Sequence, residues 1–159
     1  MLSDHAFDLG QCTAVVPLQE AIMTDAATDR SGETPANTPF EALGGAAAIR
    51  RIVDSFYDLM ETDPQYAKLR ALHAADLSPM RDSLAGYLAA WSGGPRTWFQ
   101  TRPVTCIMSI HRKIPIDRET ASQWTDAMQR ALANAGTPRP ISEAMHEILV
   151  RMATGMIRG

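Results

Sequence analysis

The apolar residues between positions 49 and 60 recur at a spacing that restricts this chain to a helical fold. Six of them follow the series i, i+3, i+4, i+7, i+8 and i+11: Ile49, Ile52, Val53, Phe56, Tyr57 and Met60. This spacing places all six side chains on one face of an α-helix. No segment shows the convincing alternation of apolar and polar residues that is typical of a strand. The sequence therefore predicts an all-α protein.

Capping residues, prolines and glycines divide the chain into four main helices. The predicted boundaries are Asp63-Pro64 after the first helix, Ser78-Pro79 and Gly93-Gly94 around the second, Asp117 and Gly136 around the third, and Pro138-Arg139-Pro140 before the fourth. Residues 95–116, between the second and third helices, are predicted to be less regular.

The segment from residue 24 to residue 38 is small, polar and rich in turn-forming residues. Such a segment cannot bury enough apolar surface to order itself, so we predict a division of the chain near residue 38. Residues 1–38 are expected to form a partly flexible N-terminal extension, in which residues 15–23 are a candidate short helix. Residues 39–159 are expected to form one folded domain.

Charge and composition exclude several functional classes. The formal net charge is −3, without the basic excess of nucleic-acid-binding proteins, so we expect no nucleic-acid partner. The apolar runs are too short for a membrane span and no secretory pattern is visible, which favours a cytoplasmic location. Cys106 is predicted to be a small buried apolar residue, and a Cys12–Cys106 bridge, although possible, is not expected in a reducing compartment.

His111 is the strongest candidate for chemistry. It lies between an apolar run and the basic pair Arg112-Lys113, whereas His5 and His146 are expected to face solvent. A neutral imidazole in an apolar pocket with one nitrogen free is suited to be the axial ligand of a haem iron. The two cations beside it can meet carboxylates on a cofactor edge. Taken alone, the pattern also fits an ordinary core or surface histidine followed by two solvated bases.

Five short motifs, in order and at matching spacing, resemble the second group of truncated haemoglobins. They are Phe40-Glu41-Ala42-Leu43-Gly44-Gly45, Ser55-Phe56-Tyr57, Trp91-Ser92-Gly93-Gly94-Pro95-Arg96-Thr97, His111 and Trp124. His111 follows Gly93 by 18 positions, and Trp124 follows His111 by 13, as expected for that family. The resemblance covers residues 39–159. It implies a truncated (2-on-2) globin-like helical sandwich that binds haem b, iron protoporphyrin IX.

The same resemblance implies which residues surround the haem. His111 is the proximal ligand of the iron, and Tyr57 and Trp124 donate hydrogen bonds to a gas on the opposite, distal side. His73 stands at the corner after the first main helix, where relatives carry tyrosine, phenylalanine or histidine, and is a further distal candidate. The remaining candidate contacts with the cofactor are Phe56, Met80, Leu84, Tyr87, Trp98, Met108, Arg112, Lys113 and Ile116. Tyr57 and Trp124 also fit the packing of an ordinary core.

One departure from the family affects the propionate side of the haem. Ile110 stands where an arginine that meets a haem propionate is expected. We therefore expect propionate binding either to shift to Arg96, Arg112 or Lys113, or to weaken.

The resemblance implies reversible binding of O2, and also of CO and NO. Several distal donors favour retention of the ligand, so we expect gas sensing, or nitric oxide or peroxide removal, more than bulk oxygen transport. A haem-dependent nitric oxide dioxygenase or peroxidase side activity, for which His73 is the histidine candidate, would draw on an electron donor that the sequence does not identify.

Other interpretations stay open at this stage. A haem-free globin-like helical module that acts through protein–protein interaction fits the altered residues around His111. Glu143, His146 and Glu147 share a face of the predicted fourth helix at metal-like spacing, although such clusters are usually solvated. A homodimer is an open alternative to a monomer.

Overall fold

The computed structural model describes Leu18, residues 38–102 and residues 106–158. Within these ranges every regular element is helical and no strand is present. The helices are α1 (Pro39–Leu43), α2 (Gly45–Thr62), α3 (Ala67–Arg70), α4 (Ser78–Trp91), α5 (Thr97–Thr101), α6 (Ile107–His111), α7 (Arg118–Asn134) and α8 (Arg139–Gly155), with a 3₁₀ turn over Pro64–Tyr66. The prediction of an all-α protein with four main helices, α2, α4, α7 and α8, is confirmed.

Helix α2 is the centre of the molecule. All six side chains of its predicted apolar face are at most 2% exposed. The helix follows Gly44, whose φ of +98° suits a residue without a Cβ atom. It ends at Asp63, whose carboxylate accepts a hydrogen bond from the backbone N–H of Gln65 and starts the next turn. The buried face of α2 therefore sets which side chains can reach the interior.

The four main helices pack as two pairs. Helix α2 packs on α4, α7 packs on α8, and α2 joins the pairs through α7. The start of α7 is fixed by a reciprocal cap, in which Asp117 accepts from the Thr120 backbone N–H and the Thr120 hydroxyl accepts from the Asp117 backbone N–H. Lys68, at the corner after α2, pairs with the Asp117 carboxylate at 2.6 Å and lowers its pKa. This pairing ties the corner that carries His73 to the start of α7.

The two glycine-containing motifs of the sequence meet in the structure. The backbone N–H of Phe40 in α1 donates to the carbonyl oxygen of Ser92 at the end of α4, at 2.8 Å. The Phe40 ring lies so close to Gly94 that a Cβ atom there would be 2.4 Å from the ring. Gly94 is therefore required by close packing.

We expect Gly94→Ala to lower the free energy of unfolding by about 1–3 kcal/mol, because the added methyl group overlaps the Phe40 ring. Chemical denaturation measures this loss. Phe40→Leu should recover part of it, since a smaller side chain relieves the overlap. Additive losses in the double variant would contradict this explanation.

The stretch predicted to be less regular contains two short helices, α5 and α6, and the sequence also missed α1 and α3. Helices of four or five residues are too short to show an apolar period. Cys106, predicted to be a buried free cysteine, is half-buried and disulfide-bonded. Cys12, the other cysteine of the chain, lies outside the described residues.

Two residues of the predicted N-terminal extension are described, Leu18 and Thr38. Leu18 is helical and fully buried in the same core cluster as the α2 residues. The rest of the extension, including the predicted linker up to residue 37 and most of the candidate helix over residues 15–23, lies outside the described residues. None of the described helices has the length and apolar character that a bilayer crossing requires.

Candidate functional site

Helix α6 places His111 with one ring nitrogen already bonded. Its Nδ1 lies 2.7 Å from the carbonyl oxygen of Ile107, one helical turn earlier. A carbonyl oxygen can only accept, so in the neutral ring Nδ1 carries the proton and Nε2 keeps its lone pair. His111 is half-buried. Such a ring is oriented and electronically prepared to ligate a metal through Nε2.

Tyr57 lies on the buried face of α2 and is only 2% exposed. Burial raises the pKa of its hydroxyl to about 12, while the positive charge of Arg81 acts in the opposite direction. The hydroxyl is therefore protonated near neutral pH and is a hydrogen-bond donor. No described residue accepts a hydrogen bond from it, so the donor is available.

Tyr57 belongs to a row of four aromatic side chains from three parts of the chain, which we call the distal row. His73 and Phe56 contact its ring edge-on, with ring centres 6.0 and 4.9 Å away, and Trp124 of α7 follows at 5.5 Å from Phe56. Phe56 is completely buried and Trp124 is half-buried. The indole N–H of Trp124, like the Tyr57 hydroxyl, has no acceptor among the described residues. The row thus brings together residues that are distant in sequence.

His73 stands at the end of the row that belongs to the corner after α3. Its Nδ1 lies 3.0 Å from the carbonyl oxygen of Leu69, so the neutral ring donates through Nδ1 and accepts through Nε2. Burial lowers the pKa of the imidazole, the hydrogen bond to Leu69 acts in the opposite direction, and the charge of Arg70 lowers it further. His73 is therefore neutral near neutral pH, with Nε2 as a hydrogen-bond acceptor.

Comparison with known proteins identifies the fold that carries this arrangement. The model of the family described as bacterial-like globin matches residues 38–158. The chain belongs to that family. It is a globin, and globins are haem proteins that bind small gaseous ligands. The predicted fold and the resemblance to truncated haemoglobins are confirmed.

Solved structures of truncated haemoglobins superpose on most of this globin. The group II 2-on-2 haemoglobin of Agrobacterium tumefaciens is 28% identical with a TM-score of 0.76, covering 80% of this chain and 98% of that one. Haemoglobin from Chloroflexus aurantiacus is 34% identical with a TM-score of 0.71, covering 77% and 99%. The group II truncated haemoglobin of Bacillus anthracis is 26% identical with a TM-score of 0.72, covering 79% and 94%. No curated protein matches the chain.

Helix α4 of the globin carries four further residues that bear on the site. Met80 is 40% exposed and Leu84 is half-buried, so both present apolar surface that the protein does not cover completely. Tyr87 is buried and stacks on Trp91 with ring centres 6.4 Å apart. Two of the predicted cofactor contacts on this helix are thus partly open, and one is enclosed by protein.

Trp98 of α5 is a predicted cofactor contact whose N–H is already bonded. The indole nitrogen donates to the Ser83 hydroxyl at 3.1 Å, and the ring packs edge-on against Tyr87 at 5.2 Å. The side chain is 5% exposed. Trp98 therefore supplies an aromatic wall, whereas Trp124 has a free donor.

The Tyr87 hydroxyl is buried without a hydrogen-bond partner among the described residues, and desolvation raises its pKa strongly. We expect Tyr87→Phe to raise the free energy of unfolding by about 1 kcal/mol, because the phenylalanine ring keeps the packing and removes an unsatisfied polar group. Urea denaturation of the two proteins side by side measures the difference. A lower stability of the variant would show that the hydroxyl is bonded in solution.

The segment around His111 contains the other predicted contacts. Met108 and Ile116 are half-buried, whereas Arg112 and Lys113 are exposed and form no ion pair with a described residue. Arg96, the third candidate for a propionate, lies with its guanidinium 5.3 Å from the centre of the Phe99 ring. Arg112 and Lys113 therefore follow His111 directly in sequence, and neither is paired with a described carboxylate.

Sequence reasoning missed Arg81, which contacts the Tyr57 ring from α4. Its guanidinium carbon is 5.5 Å from the ring centre. The available signal was the acidic series Asp54, Asp58 and Glu61, which follows i, i+4, i+7 beside the apolar face of α2. Such a series is usually solvated, so the sequence does not show that it holds a cation of the neighbouring helix or which one.

The alternative of a metal site on the last helix finds no support among the described residues. Within residues 38–102 and 106–158, no group of three or more histidine, cysteine or acidic side chains is arranged to hold a metal ion. Glu143 instead pairs with Arg139, and Glu147 pairs with Arg151. His146, expected to face solvent, is half-buried.

Proposed function

We propose that this globin binds haem b through Nε2 of His111 and reversibly binds O2, and also CO and NO, on the side of the distal row. The observation that carries the proposal is the hydrogen bond from His111 Nδ1 to the Ile107 carbonyl oxygen. It fixes the tautomer and directs the remaining lone pair of the ring away from its own helix.

Haem supplies an iron centre that coordinates diatomic gases, which amino-acid side chains alone do not. The protein's contribution on the distal side is donation of hydrogen bonds by Tyr57 and Trp124, both unpaired among the described residues. Donors that are already oriented stabilise negative charge that develops on a ligand. A bond to an acceptor with developing charge contributes about 1.5–3 kcal/mol, so one such bond slows ligand release by roughly tenfold to a hundredfold, and two bonds slow it further. Slow release favours retention of the gas.

His73 has a different part in this proposal. Because its Nδ1 is bonded to Leu69, its Nε2 accepts a hydrogen bond and can take up a proton. A neutral acceptor in contact with the ring of the donor Tyr57 supports redox chemistry, such as removal of nitric oxide or peroxide with an external electron donor, or gas sensing, more than bulk transport. The lowered pKa of His73 keeps this acceptor unprotonated near neutral pH.

Haem retention also requires partners for its propionates. The exposed side chains of Arg112 and Lys113 follow His111 directly and can supply this charge, in place of the arginine that Ile110 replaces. Met80 and Leu84 on the distal helix, and Met108 and Ile116 on the proximal side, provide apolar surface for the flat faces of the ring.

Absorption spectra of the purified protein test the proposal. We expect a red protein with a Soret band and with distinct spectra in the ferric, ferrous and CO-bound states, and haemin titration should complete occupancy at one per chain. A colourless protein that also fails to take up added haemin would contradict the proposal and support the haem-free interaction module.

A further inference from the structure

Arg81 is unusual among the cations of this chain because it is largely buried and held by several carboxylates. Its side chain is 16% exposed. One terminal nitrogen donates to the backbone carbonyl oxygen of Asp54 at 3.0 Å and to its carboxylate at 3.2 Å. The other donates to Asp58 at 2.7 Å and to Glu61 at 3.4 Å. The guanidinium therefore has one preferred position.

That position is over the face of Tyr57. The distance of 5.5 Å from the guanidinium carbon to the ring centre is within the range of a cation–π contact. Helix α2 carries Asp54, Asp58 and Glu61 as well as Tyr57. Arg81 of α4 therefore contacts both the carboxylates and the aromatic ring of α2. The other neighbours of the ring, Phe56 and His73, are uncharged near neutral pH.

The three carboxylates do not cancel the charge that Tyr57 experiences. Their side chains are 41%, 66% and 42% exposed, so water screens them more than it screens the guanidinium. Arg81 is accordingly the charged group that lowers the pKa of the Tyr57 hydroxyl against the effect of burial. A more acidic phenol is a stronger hydrogen-bond donor.

We propose that Arg81 is a positioning residue for the distal tyrosine: held by Asp54, Asp58 and Glu61, it fixes the ring of Tyr57 and strengthens its hydroxyl as a donor. This inference rests on the proposed function for its effect on gas binding. Arg81 does not reach the ligand itself, because both terminal nitrogens are directed at the carboxylates of α2.

The test compares Arg81→Met with wild type by two measurements. In the first, the O2 dissociation rate should rise on the order of fivefold in Arg81→Met, because the Tyr57 hydroxyl loses its fixed position and part of its strength as a donor, a loss of about 1 kcal/mol in its hydrogen bond to the ligand. The same substitution in the Tyr57→Phe background should leave the rate unchanged, since no hydroxyl remains to be positioned. Arg81→Lys should restore part of the wild-type rate, because it keeps the charge but loses the planar fork.

The second measurement does not depend on gas release. The chain has three tyrosines, so spectra of protein with ¹³C-labelled tyrosine rings contain few signals, and Tyr57→Phe assigns one of them. Arg81→Met should move the Tyr57 signal and leave those of Tyr66 and Tyr87 in place. Arg130→Met is a matched control, since Arg130 lies 5.6 Å over the Tyr66 ring and pairs with Asp63. It should move the Tyr66 signal and leave O2 release unaffected.

The outcomes separate this inference from the proposed function. An equal rise in the O2 dissociation rate with and without the Tyr57 hydroxyl would overturn the role of Arg81, as would an unmoved Tyr57 signal in Arg81→Met. If Tyr57→Phe alone leaves O2 release unchanged, or the protein takes up no haem, the proposed function fails. The Tyr57 signal then still reports whether Arg81 acts on that ring.

Discussion

Replacement of His111 by alanine should abolish stable haem binding. The imidazole is the only ring on α6, and its Nε2 is the lone pair that the hydrogen bond to Ile107 leaves free. Alanine offers no ligand, so we expect purified His111→Ala to lack the Soret band and to lose added haemin readily on gel filtration. This is the largest effect expected of any single substitution in the protein.

Two companion variants make the experiment specific. His111→Gly should recover the Soret band when free imidazole is supplied, because the small molecule can fill the space of the missing ring. His146→Ala removes a half-buried histidine of α8 and should keep haem at full occupancy. Circular dichroism of each variant reports whether the helices form. A helical His111→Ala that retains haem with an unchanged spectrum would exclude His111 as the ligand.

Loss of the Tyr57 hydroxyl should produce the second largest effect, on ligand release. Tyr57→Phe keeps the ring packed between Phe56 and His73 and removes the donor alone. A hydrogen bond to an acceptor with developing charge contributes about 1.5–3 kcal/mol, so we expect the O2 dissociation rate to rise by roughly tenfold to a hundredfold. Stopped-flow displacement of O2 by CO measures this rate directly.

Tyr66→Phe is the matched control for Tyr57→Phe. Tyr66 is also buried, but its hydroxyl is bonded to Asp126 and Arg130 at the outer side of the corner. Its removal should reduce stability and leave O2 release unchanged. Trp124→Phe should raise the rate by a smaller factor, since one neutral N–H is lost. If Tyr57→Phe releases O2 at the wild-type rate, the Tyr57 hydroxyl does not contribute to gas retention.

Much of the helical framework follows from local sequence. The apolar period of α2, the cap at Asp117 and the proline before α8 each act within one or two turns, so the sequence alone specified them. The sequence alone also specified turns at the two glycine pairs. It did not show that Gly94 leaves room for the Phe40 ring. Helices of one turn, such as α1 and α3, were missed because they are too short to show an apolar period, although the capping box of Thr38 and Glu41 in α1 is a local signal.

His111 was already singled out by its apolar and basic neighbours, whereas the other candidate residues followed from the sequence only through the resemblance to truncated haemoglobins. That resemblance indicated His111, Tyr57, Trp124 and His73, but not their hydrogen-bonding states. The structure shows that the Nδ1 atoms of both histidines are hydrogen-bonded to carbonyl oxygens. The indole N–H of Trp98 donates to Ser83, whereas that of Trp124 has no acceptor among the described residues. These distinctions decide which side chains donate and which accept.

The sequence by itself determined the helical class, the main helix boundaries and the residue types available for a haem site, because each depends on neighbours within a few positions. Tertiary structure alone decided the aromatic row from His73 to Trp124 and the contact between Arg81 and Tyr57. Burial and long-range pairing set these, and both depend on how α2, α4 and α7 pack. Side chains separated by many residues acquire a common electrostatic environment only after the helices have come together.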